Sequence, residues 1–149
     1  MENMAEQITS LLEKSYTFDE NENGIIKEIF SGNMNFPRIK CIAELIINMK
    51  LDKTSMFAFL VYQYYKVEPQ KAEILLDRLT KEEQEIVYDF KMIKDLNQLT
   101  PSEEIEDIKR LFLVMGKDLR VVIIKLFGIF YDISILNNPL DDAQKSFIK

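Results

Sequence analysis

The chain has 149 residues, with 19 Lys and Arg against 25 Asp and Glu, one Cys and no His. Without His, no imidazole-ligated metal, His general base or Ser/His/Asp triad can be built from this chain alone. The net charge of −6 argues against broad binding to phosphate backbones, so no nucleic-acid partner is expected.

A hydrophobic fraction of 47% is enough for a real core, and the length suits one domain over residues 1–149. Cys41 stands alone, so no intramolecular disulfide can form. It sits in an apolar helical run with Ile42, Ala43, Leu45 and Ile46, which reads as a buried structural thiol in a reducing compartment. The N-terminus lacks a basic-then-apolar signal pattern, and a cytoplasmic location is expected.

Apolar spacing is helical almost throughout. Ile8, Leu11, Leu12 and Tyr16 mark a first helix, followed by a mostly polar turn at 18–24. Ile25, Ile26, Ile29 and Phe30 mark a second helix, closed by Gly32, a residue that tolerates the left-handed conformation. Pro37 suits a helix start, Asp52 is a candidate N-cap, and Pro69 opens a further helix. Thr80–Glu83 and Thr100–Glu103 both have capping-box spacing, the second with Pro101 at the first helical position. Gly116 stops the helix begun there, and Asp118 precedes the most apolar stretch, Leu119 to Leu136. That stretch contains Arg120, Lys125, Gly128 and Asp132, so it reads as a helix buried all round and not as a membrane span. Asn137-Asn138-Pro139 should break it before a last helix. The apolar face of that helix at Ala143, Phe147 and Ile148 fits a natural end or a boundary inside a longer protein equally. The expectation is one compact all-α domain of about eight or nine helices.

Few residues suggest chemistry. Glu103, Glu104, Glu106 and Asp107 crowd a helix start, where acids favour the dipole, and they read as a cap and a solvated face. Asp19, Asn21, Asn23 and Gly24 match the first half of a calcium loop, but its closing Glu position is Phe30, so a polar turn is preferred. Lys117, Arg120 and Lys125 are expected to snorkel or to pair with acids. Tyr62, Gln63, Tyr64 and Tyr65, an aromatic run on one helix turn, cannot all face the core, so some of these rings must reach the surface or line a groove, with core plus ordinary surface preferred over a partner or ligand site.

Two segments carry a resemblance. Met115-Gly-Lys-Asp-Leu-Arg-Val-Val-Ile-Ile-Lys-Leu126 is similar to the M-x-K-D-hydrophobic-R-V-hydrophobic-x-I-K-L stretch of the RelA/SpoT hydrolase domain. Leu51-Asp52 through Gln63 resembles that family's L-D-x-x-T-x-A-A-A-L-L-H-D, and Pro139 to Phe147 its P-x-x-K-Q continuation. The likeness covers roughly residues 37–149. It implies an all-α His-Asp phosphohydrolase fold, a manganese site, and action on guanosine tetra- and pentaphosphate alarmones.

Carried over position by position, the resemblance puts the metal ligands on Arg38, Tyr62, Gln63 and Gly128. The Glu-Asp pair that organises the attacking water falls on Lys66 and Val67, and an Asn of the late motif on Asp132. The nucleotide segment V-T-K-L becomes Phe90-Lys91-Met92-Ile93, and the basic loop shrinks to Ser31–Met34 without a Lys or Arg. The implication is a non-hydrolytic domain without metal or other cofactor, regulating a following synthetase domain. Two alternatives stay open. One is a free-standing interaction module, self-association included, that uses Arg38, Tyr62, Tyr64 and Tyr65 as a partner surface. The other is a non-catalytic remnant in which Arg38 and Lys66 attract a guanine nucleotide, beside Lys91 and Asp132.

Overall fold

The computed structural model describes residues 3–92, 109 and 118–147, with 137–147 described by their helical backbone. Seven helices lie among them: α1 (Met4–Ser15), α2 (Glu20–Phe30), α3 (Phe36–Asn48), α4 (Lys53–Val67), α5 (Pro69–Leu76), α6 (Lys81–Met92) and α7 (Leu119–Phe147). No strand occurs among the described residues. The all-α class holds, with seven helices described where eight or nine were expected. The expected capping box at Thr100–Glu103, its helix and the stop at Gly116 lie outside the described residues.

Helix starts follow local chemistry. Thr80 and Glu83 form the expected capping box: the Glu83 amide donates to Thr80 Oγ1 at 3.1 Å and the Thr80 amide to Glu83 Oε1 at 2.9 Å. Asp52 caps α4 through the Ser55 amide at 3.0 Å. Thr80→Ala should therefore cost about 1 kcal/mol in urea unfolding, and a loss of a few tenths or less would contradict the cap.

The polar stretch 18–24 is not a turn. Asp19 accepts from the Glu22 amide at 2.7 Å, Glu22 accepts from the Asp19 amide at 2.9 Å, and α2 starts at Glu20. Asn3 and Glu6 make the same box at α1. Asp19-x-x-Glu22 thus serves a helix start, and Asn21 is engaged with Arg78 at 3.0 Å, so these oxygens form no cation loop.

Gly32 has no positive φ; the left-handed residue is Lys50, with φ 58°, in the turn between α3 and α4. There the amides of Lys50 and Leu51 reach back to the carbonyls of Ile47 and Ile46. The turn closes α3 at the ordinary expense of a side chain in the left-handed region, about 1–2 kcal/mol.

The helix buried on every side is α4, not the apolar stretch after Asp118. Every residue from Ser55 to Tyr64 is buried, because α2, α3, α5, α6 and α7 surround it. In α7, Val121, Val122, Ile124 and Gly128 face inward, while Leu126 (54% exposed), Phe130 (67%) and Ile133 (47%) face out. The helix also continues through Asn137-Asn138-Pro139 to Phe147. Proline removes one hydrogen bond and crowds one carbonyl, which can kink a helix without ending it. Among the described residues, no helix is long and apolar enough to cross a membrane.

Candidate functional site

The positions singled out in the sequence meet where α3, α4 and α7 come together. Asn35 caps α3 through the Arg38 amide at 3.2 Å, with Pro37 in the first turn. This fixes Arg38 at the helix start, from where its side chain reaches across to both other helices. Arg38 Nη1 donates to Gln63 Oε1 on α4 at 3.2 Å, and Nε to Asp132 Oδ1 on α7 at 3.1 Å. One turn before Asp132, Gly128 presents bare backbone. A Cβ there would lie 2.7 Å from Arg38 Nη2. Gln63 is buried and the Arg38 side chain is 15% exposed, while Asp132 is about half exposed.

Tyr62 lies beside this group and is buried. Its ring stacks on Phe90 with centroids 5.3 Å apart. Lys125 Nζ sits 4.7 Å from the Tyr62 centroid and 3.3 Å from its hydroxyl, with Lys66 Nζ 5.4 Å from the same centroid. Lys91 belongs to an adjoining group: its ammonium lies 4.2 Å from the Tyr65 ring, 5.0 Å from Tyr88 and 3.8 Å from Glu73. These contacts place cations against aromatic faces, each worth about 0.5–2 kcal/mol according to exposure.

One candidate faces elsewhere. Tyr64 turns toward α2 and donates to Glu28 Oε2 at 3.1 Å. Burial, then the Glu28 hydrogen bond and charge, push its hydroxyl up to about 12. It joins no surface: Tyr62, Gln63 and Tyr64 are all buried because α4 is enclosed on every side, against the expectation that such a run cannot all face the core, and of the four only Tyr65 is partly exposed. Val67 ends α4 in an exposed position. Cys41 is only partly buried, not buried as expected, and burial followed by the Glu44 charge raises its thiol, which keeps it a poor nucleophile.

The sequence reading missed that Lys125 belongs to this region. Lys125, Gly128 and Asp132 recur at helical spacing, so one face of α7 carries all three; that spacing was the available signal. Arg120, by contrast, pairs with acids as expected: Asp52 and Glu82 at 2.7 Å and Asp118 at 2.8 Å.

The four positions assigned to metal ligands by resemblance carry a guanidinium, a phenol ring, an amide and no side chain. A divalent metal of the hydrolase type needs imidazole nitrogens and carboxylate oxygens. The donors at these four positions do not fit one, since the guanidinium would repel the ion and Gly128 offers no side-chain atom. Among the described residues, no group of three or more His, Cys, Asp or Glu is arranged to hold a metal.

A family model described as HD domain matches residues 29–147, a span that takes in α3 to α7 and every residue of the Arg38 group. No curated protein matches the chain, and no solved structure does.

Proposed function

The chain belongs to the HD-domain family, and from that premise we propose that it is a non-hydrolytic member, the regulatory domain of a RelA/SpoT-like alarmone synthetase acting in the stringent response. The observation that carries the reading is the Arg38 guanidinium, bonded to Gln63 and Asp132 where the resemblance places the metal. A cation fixed there competes with any second cation, and the guanidinium, phenol, amide and bare backbone at the four positions offer no ligand set for a metal that would activate water.

In this reading the domain acts by packing against a following synthetase domain in the cytoplasm. The outward stripe of Leu126, Phe130 and Ile133 supports it, because exposed apolar side chains grouped on one helix suit a packing surface. Any GTP pyrophosphokinase activity would belong to that following domain.

Incubating the chain with manganese and guanosine tetraphosphate tests the reading. No release of pyrophosphate above the protein-free rate is expected. Release that grows with protein concentration and stops on chelation would overturn it.

A further inference from the structure

We infer that Arg38 is a fixed internal cross-link joining α3, α4 and α7, and that Gly128 is its paired residue, kept bare so that the guanidinium can lie against the α7 backbone. The cross-link stands on distances alone; that it takes the place of the family's metal rests on the proposed function.

A guanidinium presents five N–H donors in one plane, so a single group can bond two acceptors while its third nitrogen points elsewhere. Arg38 uses this layout: Nη1 reaches Gln63 at 3.2 Å, Nε reaches Asp132 at 3.1 Å, and Nη2 points at Gly128. The bond to Asp132 alone would count for little, because Asp132 is half exposed. The Gln63 bond is different. Gln63 is buried, and without Arg38 its carbonyl oxygen loses this partner.

Gly128 sits inside a helix, where glycine is normally unfavourable. An alanine Cβ there would approach Nη2 to 2.7 Å, whereas Arg38 Cζ at 3.7 Å and Ile42 Cδ1 at 4.0 Å are ordinary contacts. The tight contact therefore belongs to the guanidinium. A flexible arginine tip could step aside, but this one is held on both sides, so the step would break the bonds to Gln63 and Asp132. The two residues should behave as a pair: each explains why the other is tolerated.

A double-mutant cycle reads this pairing. Melting midpoints are compared for the native chain, Gly128→Ala, Arg38→Ala and the double variant. Gly128→Ala should lower the midpoint of the native chain by several degrees. In the Arg38→Ala background it should raise it by about 4 °C, because alanine is the better helix former once the space is open. If Arg38→Ala does not fold, Arg38→Met serves as the background, keeping the apolar stem without the guanidinium. The same reversal is expected, and Arg38→Lys should not restore the native midpoint. Equal shifts from Gly128→Ala in both backgrounds would overturn the cross-link while leaving an absence of hydrolysis untouched. Conversely, manganese-dependent hydrolysis would overturn the proposed function and leave the reversal standing.

Discussion

Phe90→Ala should destabilise the domain by about 3–5 kcal/mol, a large share of the stability of a domain this size. Phe90 is 1% exposed, lies in α6, and stacks under Tyr62 of the enclosed α4. Truncation loses the buried ring and leaves a cavity against α4, which has no free side from which to refill it. It also removes the floor on which Tyr62 rests, with Lys66 and Lys125 on that ring. Urea unfolding of the variant measures the effect. A loss below about 1 kcal/mol would mean that α4 and α6 do not pack as described.

Arg120→Met should cost about 2 kcal/mol, between the values of an exposed and a fully buried ion pair. The guanidinium joins the starts of three helices: Asp52 caps α4, Glu82 lies in the first turn of α6, and Asp118 accepts from the Arg120 amide just before α7. Acids at helix starts are favourable one at a time. Three converging carboxylates repel one another unless a cation sits among them. Solvent screens part of this attraction, because Asp52 and Glu82 are more than half exposed.

The same contact gives a pH dependence. Burial alone would raise the Asp52 carboxyl, but two hydrogen bonds from Ser55 and the charge and hydrogen bond of Arg120 outweigh it, so the group titrates below its ordinary 3.8. A carboxylate held low in the folded state stabilises the fold above its unfolded value. That contribution is lost as pH falls from about 3.8 through the lowered value. Buried Glu83 is shifted the other way, raised first by desolvation, and its contribution declines as pH rises through its folded value. Arg120→Met should therefore flatten the acid limb of the stability curve below pH 4 by removing part of the Asp52 shift, with the Glu83 part unchanged. An acid limb identical to that of the native chain would contradict the contact.

The helix starts were legible where a cap or proline announced them, as at Pro37, Asp52, Pro69 and Thr80. The same four-residue spacing at Asp19 was read as a turn, because its Asn and Gly residues also match turn and cation-loop chemistry. Only the folded chain shows that the Glu22 side chain turns back to accept from the Asp19 amide. The burial of α4 was not legible. Its sequence carries Gln63 and three tyrosines, and enclosure on all sides comes from neighbours distant in the chain, which periodicity cannot register. The outward face of α7 was missed for the converse reason: an apolar run looks alike whether it is covered or exposed. The candidate site was legible as positions, through resemblance, but its chemistry was not. That Arg38 spans to both Gln63 and Asp132, with Gly128 making room, depends on three helices converging.

Titration of the chain with Mn2+, followed by the magnetic-resonance signal of the free hexaaquo ion, shows whether the Arg38 position still takes a metal. With a guanidinium fixed among Gln63, Gly128 and Asp132, the free-ion signal should rise in proportion to added manganese, as it does in buffer. Saturable loss of that signal at one ion per chain, abolished by substituting Gln63 or Asp132, would show that this site still takes a metal and would contradict the account.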